Sequence, residues 1–234
     1  MLGRTPRDER PERPFTGYKL GRAVLSADGT RAGFAGLTLG ADQIYGAVGD
    51  AACVWNTRHA PPRKWCGCGF YCLHELNDAR ALGCATEHRS AVLLEVAAGG
   101  RYIRYERGLR YSRQRVRVIR ESQCACGRPG TGLADAGTGL VGWRHLTPVC
   151  GRCTVERPAI LSMRDFAGLL DAPVRVPQAT PAGAGPGEAG ATGAGDGPGR
   201  LELPGTGESP IAVLSAEIAL LHARLDEIQS RLDG

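Results

Sequence analysis

Large aromatic side chains are scarce in this sequence of 234 residues, because Phe, Trp and Tyr together make up only 6% of it. Glycine and proline are abundant instead, with 34 and 15 copies. A chain with few bulky side chains builds a small hydrophobic core, and small cores gain stability from cross-links or bound metals. The nine cysteines offer the chemistry for either kind of reinforcement.

Long apolar runs are also missing. Glu95 interrupts the apolar segment at 91–98, and Glu217 and His222 interrupt the one near the C-terminus, so neither reaches the length of a membrane span. The N-terminal residues include acidic side chains and lack the apolar region of a secretory signal. We therefore expect a cytoplasmic protein with no membrane partner. In a reducing compartment, C-x-C and C-x-x-C pairs indicate metal binding before disulfides.

Sequence motifs of the common catalytic sites are absent. No Cys or His stands two residues before a Glu, as the zinc deaminases require. His74 is followed by Glu75, but the second His of the metalloprotease motif H-E-x-x-H is not there. Neither a P-loop nor a G-x-S-x-G turn occurs. The sequence therefore predicts a protein that is not an enzyme and whose metal is structural.

Four cysteines in the second half of the chain form two pairs, Cys124-x-Cys126 and Cys150-x-x-Cys153. The residues between the pairs contain an apolar stretch, GLVGWRHLTPV, that suggests a hairpin. Zinc prefers four soft ligands at tetrahedral corners, and Gly151 favours the tight turn that directs two thiolates to one ion. These four residues therefore predict a zinc-ribbon-like element. The alternatives are four buried thiols without metal, an iron–sulfur cluster or a redox dithiol.

A second group of possible ligands lies between residues 53 and 88 and is larger than one metal needs. We favour the set whose spacing closes compact loops and leaves the following helix free to pack, namely Cys53, His59, Cys66 and Cys68. The other possible set consists of Cys72, His74, Cys84 and His88. A helix would spread Cys72 and His74 over different faces, which argues against the second set.

The same region resembles a family of uncharacterised actinobacterial proteins. They share the pattern C…H-x-x-P…C-x-C-G-[IF]-Y, followed by a strand pair V-x-L…G-x-V/I…G-x-R. The first part of the pattern matches Cys53, His59, Pro62, Cys66, Cys68, Gly69, Phe70 and Tyr71. The second part matches Val92, Leu94, Gly100, Ile103, Gly108 and Arg110. The resemblance covers residues 18–120 and implies no known activity; in the family, alanine is usual at the position of Cys72, which favours the set without Cys72.

Composition and periodicity divide the chain into five segments. They predict a disordered leader (1–16), a Cys/His-rich β module (17–122), a zinc-ribbon-like element with a short helix (123–172), a flexible Gly/Pro/Ala linker (173–209) and a coiled-coil helix (210–234). The predicted fold class is α+β or mainly β. Helix formers at 70–83, with Gly83 as C-cap, predict one short helix, and we expect Ser162 to cap a second one.

Arginine dominates the charge between residues 101 and 120, where it alternates with tyrosine on two predicted strands joined by a turn. Such a surface could neutralise phosphates and stack bases, so we expect nucleic-acid binding. The candidate binding residues are Arg104, Arg113, Arg115 and Arg117. The alternative is an adaptor that binds a protein partner and has purely structural zinc, since zinc ribbons serve both roles. A redox-sensing thiol or iron–sulfur protein is the third interpretation.

The C-terminal segment carries the clearest periodicity. Its apolar residues are spaced by alternating steps of three and four, the a/d pattern of a coiled coil. They are Ile211, Leu214, Ile218, Leu221, Leu225, Ile228 and Leu232. Ser209 and Pro210 mark the N-cap and the first helical residue. The pattern predicts a homo-oligomer, most simply a homodimer through residues 210–233, and the alternative is a helix that folds back on its own domain.

Overall fold

A computed structural model describes residues 13–37, 43–53 and 59–177 of the chain. Within these ranges the protein is mainly β, as the sequence predicts, with ten strands and two short α-helices. The predicted coiled-coil helix, nearly all of the predicted linker and most of the predicted leader lie outside the described residues. No helix of the described part is long and apolar enough to cross a membrane.

The strands and helices have the following bounds. The strands are β1 (Phe15–Ser26), β2 (Ala32–Ala35), β3 (Ile44–Tyr45), β4 (Val48–Asp50), β5 (Phe70–Leu73), β6 (Ala91–Arg104), β7 (Gly108–Ser122), β8 (Gly132–Leu140), β9 (Trp143–Val149) and β10 (Leu161–Ser162). The helices are α1 (Leu76–Gly83), a 3₁₀ helix (Thr86–His88) and α2 (Met163–Gly168).

Four strands close into a ring. β1 pairs with β5 and β6, and β7 pairs with the same two strands, in each case antiparallel. The remaining strands extend this ring. β4 pairs with β7. β2 and β9 pair with the two edges of the C-terminal end of β1; β3 then pairs with β2, β8 with β9 and β10 with β8. The predicted zinc-ribbon-like element is therefore joined through β9 to the sheet of the predicted β module.

The longest hairpin is β6–β7, which confirms the prediction of two strands between residues 101 and 120. Alternate residues of β7 face opposite sides, as a period-two pattern requires. Gln114 is buried, whereas Arg113 and Arg115 on either side of it are exposed. Tyr102 and Tyr111 pair across the hairpin, and both are buried. The hairpin thus contributes aromatic side chains to the core and arginines to the surface.

The core concentrates the few aromatic residues that the sequence has. Phe34 and Phe166 meet edge to face, with ring centroids 5.6 Å apart. Phe70 lies between Tyr45 and Tyr111, with centroid distances of 5.4 and 5.9 Å. Contacts of this kind add to the hydrophobic contribution of each ring. They tie β2 to α2 and bring β3, β5 and β7 together on the inside.

The first helix begins later than the sequence predicts. The prediction covers residues 70–83, but Phe70–Leu73 forms β5 and only Leu76–Gly83 is helical. Pairing with β7 satisfies the backbone groups of β5, and this tertiary contact overrides a local helix preference.

The second helix begins with the cap that the sequence predicts, because the hydroxyl of Ser162 accepts a hydrogen bond from the amide of Asp165 at 3.1 Å.

Candidate metal centres

The first candidate centre consists of Cys53, His59, Cys66 and Cys68, whose four ligand atoms lie within 4.8 Å of one another. The sulfurs of Cys53 and Cys66 are 3.6 Å apart, and Nε2 of His59 lies 3.3 Å from the sulfur of Cys68. A disulfide needs about 2.05 Å between sulfurs. Ligands at the corners of a zinc-type tetrahedron are roughly 3.6–3.8 Å apart. The spacing therefore fits a group that could hold a metal ion.

The local backbone explains how these ligands converge. Cys53 follows β4, and the other three ligands lie on the loop that leads into β5. This loop turns where the amide of Cys66 donates a hydrogen bond to the carbonyl oxygen of Arg63 at 3.0 Å. Gly69 then adopts a φ of +120°, a conformation that favours glycine, and the chain enters β5 directly. Burial raises the pKa of the Cys68 thiol to about 11, so a metal must displace its proton.

Arg110 on β7 supports this loop with its side chain. Its side chain is buried, and none of the ion pairs among the described residues involves it. The guanidinium donates hydrogen bonds to the carbonyl oxygens of Cys66 and Arg63, the latter at 3.0 Å. A buried cation without a carboxylate partner is costly unless other negative charge lies close by. The cysteines of the first centre would provide such charge if metal binding deprotonates them.

The second candidate centre consists of Cys124, Cys126, Cys150 and Cys153, whose sulfurs also lie within 4.8 Å of one another. The sulfurs of Cys126 and Cys150 are 3.5 Å apart, and all four residues are free thiols. The β8–β9 hairpin occupies the sequence between the two pairs, and its ends meet where Gly132 pairs with Val149. The hairpin thereby brings two pairs that are distant in sequence to one place.

Tight turns hold each cysteine pair of the second centre. The amide of Gly127 donates to the carbonyl oxygen of Cys124 at 2.8 Å, and the amide of Cys153 donates to that of Cys150 at 3.0 Å. Hydrogen bonds from the amides of Cys153 and Arg152 lower the pKa of the Cys150 thiol to about 6. Hydrogen bonding with the Cys126 sulfur, and then with its other sulfur neighbours, raises the pKa of the Cys153 thiol to about 12. One ligand is therefore already a thiolate at neutral pH, and another releases a proton when a metal binds.

The two centres differ in their access to solvent. Cys53, Cys66 and Cys68 of the first centre are all buried. In the second centre, Cys126 is exposed and Cys153 is half-buried. Each centre nevertheless supplies four protein ligands, which is the full tetrahedral set of a structural zinc site; catalytic sites supply three and keep one position for water.

The alternative ligand set of the first region does not come together. The described residues contain no metal-sized group formed by Cys72, His74, Cys84 and His88. Cys72 lies inside the strand ring, where burial raises the pKa of its thiol to about 11. Cys84 is exposed, and Nε2 of His74 lies 3.3 Å from the carbonyl oxygen of Tyr105. Cys72 therefore behaves as a small core residue.

The four arginines predicted to bind nucleic acid lie in different environments. Arg113 forms an ion pair with Asp50 of β4 at 2.7 Å. The guanidinium of Arg104 lies over the ring of Phe15, 5.0 Å from its centroid. Arg115 and Arg117 are exposed on β7, and the described residues form no salt bridge with either. Of the four, Arg113 is the one that a described carboxylate neutralises, and Arg104 is the one that packs on a ring.

No protein-family model, curated protein or solved structure matches the chain. The candidate centres are therefore interpreted from their own geometry. The resemblance of residues 18–120 to the actinobacterial family stays a prediction.

Sequence reasoning missed the role of Arg110, which it counted with the surface arginines. Leu109 and Tyr111 are buried in the core although they share their parity along β7 with the exposed Arg113 and Arg115, so a single period-two pattern does not hold through this strand. Arg110 pairs with the half-exposed Tyr71 of β5, on the side of the sheet opposite to Leu109 and Tyr111. Residue spacing could not show that the metal loop covers this side.

Proposed function

We propose that this is a non-enzymatic zinc protein in which two structural metal centres stabilise a β module that binds nucleic acid. The observation that carries the zinc assignment is the convergence of four Cys or His ligand atoms within 4.8 Å at each of two places. Three thiolates with one imidazole, and four thiolates, are donor sets that structural zinc favours. The small core of the chain is the physical reason for needing both centres.

The charge around Arg110 supports a metal-loaded first centre. Zinc carries two positive charges and the three cysteine thiolates carry three negative ones, so the loaded centre has one net negative charge. The guanidinium of Arg110, bound to the carbonyl oxygens of Cys66 and Arg63, balances that charge in the buried region. Protonated thiols without metal would leave the arginine with no counter-charge among the described residues.

Metal analysis of the purified full chain tests the zinc assignment. We expect two zinc ions per chain and no visible absorption, because zinc has a filled d shell. Cys150→Ser should retain one zinc, since it removes a ligand of the second centre alone. Protein without zinc, or a brown chromophore from an iron–sulfur cluster, would contradict the proposal.

Nucleic-acid binding is the function that we assign to the module. It is supported by the exposed arginines of β7 that lack a salt bridge within the described part, Arg115 and Arg117. Double replacement by glutamate should abolish binding at low salt while the zinc content stays the same. Arg164→Glu, on the exposed side of α2, is the control for a change in net charge. If the native protein binds no nucleic acid at low salt, the adaptor function takes its place.

Self-association remains part of the proposal on sequence grounds. The a/d pattern of residues 210–233 supports it, and these residues lie outside the described part of the chain. An oligomer would place two or more modules on one nucleic acid, and the resulting avidity would strengthen binding without any new contact.

A further inference from the structure

Three exposed aromatic side chains lie beside the first candidate centre. Trp65, Tyr71 and Tyr105 are 73%, 49% and 46% exposed, and no other aromatic residue of the described ranges is classed as exposed. Burying such side chains is favourable, so leaving three of them in solvent at one place calls for a reason. We refer to these three residues as the aromatic surface.

Arg110 contacts two of the three residues and the turn that carries the third. Its guanidinium carbon lies 5.8 Å from the ring centroid of Tyr71 and 5.9 Å from that of Tyr105. The same guanidinium binds the carbonyl oxygens of Arg63 and Cys66, the two ends of the turn that carries Trp65. The hydroxyl of Tyr71 donates a hydrogen bond to the carbonyl oxygen of Gly67 at 3.0 Å. The aromatic surface is thus attached to the metal loop at several points.

Positive charge accompanies the aromatic surface. Lys64 lies over the ring of Trp65, with Nζ 5.0 Å from the centroid. Arg63 and Lys64 are both exposed, and neither forms a salt bridge within the described residues. Glu106, next to Tyr105, is the one acidic residue between 101 and 120. Exposed rings beside unneutralised cations match a ligand with flat π systems and a negatively charged backbone.

We propose that the aromatic surface binds single-stranded nucleic acid, with bases stacked on Trp65, Tyr71 and Tyr105 and phosphates held by Arg63 and Lys64. This inference rests on the nucleic-acid binding proposed above and narrows it to one strand type and one surface. A duplex keeps its base faces inside the stack, so stacking residues favour single strands. Cys66 ends the turn that carries Trp65, and metal binding at the first centre therefore orders the surface.

Fluorescence anisotropy tests the proposal with a labelled oligonucleotide of about 12 nucleotides, single-stranded or as a duplex, at low salt and with the zinc-loaded full chain. We expect the single strand to bind more tightly than the duplex. Trp65→Leu should weaken single-strand binding by roughly tenfold, whereas Trp65→Phe should retain most of it, because a phenyl ring still stacks. Tyr105 lies on a different loop from the ligands, and Tyr105→Leu should weaken single-strand binding to a similar extent. Val155→Ser, at a residue 87% exposed, is the control and should bind like the native chain.

The outcomes separate this inference from the broader function. Suppose that Trp65→Leu and Tyr105→Leu bind the single strand like the native chain while the Arg115→Glu/Arg117→Glu variant does not. The proposed role of the aromatic surface is then wrong, and nucleic-acid binding by the module stands. Tighter binding of the duplex than of the single strand also contradicts the proposed role of the aromatic surface. So does displacement of the labelled single strand by polyglutamate as effectively as by unlabelled single strand. Failure of the native chain to bind any oligonucleotide at low salt overturns both. Zinc content measured on each variant shows whether the first centre is intact. Should Trp65→Leu lose its zinc, the binding measured for Tyr105→Leu decides between the outcomes.

Discussion

The buried guanidinium of Arg110 donates a hydrogen bond to the backbone carbonyl of Cys66, a ligand of the first candidate centre. This bond joins the beginning of the β7 strand to the loop that carries the ligands. It also brings a buried positive charge to the backbone of the ligand loop, in a region of low dielectric where charge interactions are strongest. The relationship suggests that the metal and the strand stabilise each other.

Arg110→Met should therefore weaken metal binding at the first centre and leave the second unchanged. The variant removes the counter-charge and leaves the carbonyl oxygens of Cys66 and Arg63 without that donor. Loss of an outer-shell partner typically costs about 10–100-fold in metal affinity. Competition with a chromogenic chelator should show one of two zinc ions released early, and Arg110→Lys should be intermediate. Arg117→Met, at an exposed arginine on the same strand without a salt bridge among the described residues, is the control. Equal zinc retention in the two methionine variants would refute the role of Arg110.

Removing a ligand of the second centre should cost both metal and stability. In Cys150→Ser we expect one zinc per chain and a clearly lower Tm, because metal binding free energy contributes to folding free energy. Cys84→Ser is the matched control, since Cys84 is an exposed thiol outside both groups. A Cys150→Ser protein with two zinc ions and native Tm would contradict the ligand assignment.

Gly17 and Cys72 should be coupled in stability. A methyl group at Gly17 would clash with the sulfur of Cys72 inside the strand ring. Gly17→Ala should therefore destabilise the fold by about 1–3 kcal/mol, the usual cost of overpacking. Cys72→Ala alone should keep two zinc ions, and in the double variant it should recover part of the loss. Denaturant unfolding of the four proteins gives the coupling free energy, and strict additivity would show that the two side chains do not meet.

Zinc affinity should rise with pH through the neutral range. In the metal-free protein the thiol pKa values of Cys68 and Cys153 are raised to about 11 and about 12, so both thiols are protonated and must lose a proton to bind metal. The Cys150 thiol, with a pKa lowered to about 6, contributes no such dependence above that pH. Zinc titrations at a series of pH values should show net proton release at both centres. Affinity that does not change with pH would contradict protonated ligands.

The C-terminal heptads should control the mass of the native protein. We expect light scattering to show an oligomer for the full chain and a smaller species after truncation at Pro204, because a helix of three heptads is marginal alone and gains by pairing. Leu221→Glu in the full chain, at an a/d position, should have the same effect as truncation. A monomeric full chain at tens of micromolar would favour the helix that folds back instead.

The sequence by itself determined the local cysteine pairs of both candidate centres. Short spacings such as Cys66-x-Cys68 and Cys150-x-x-Cys153 allow two thiolates to meet within one turn, and this is a local property of the backbone. The cap at Ser162 and the period-two pattern of the β6–β7 hairpin were predictable for the same reason, since each depends on residues a few positions apart.

Only the tertiary structure decided what these local pieces lie against. It made Phe70–Leu73 a strand by pairing it with β7, and it placed Cys72 in the core. It also separated the arginines: Arg113 pairs with Asp50, while Arg110 faces the metal loop. Each of these contacts joins residues that are far apart in the sequence, and their energy depends on packing and on the local dielectric, which residue spacing does not encode.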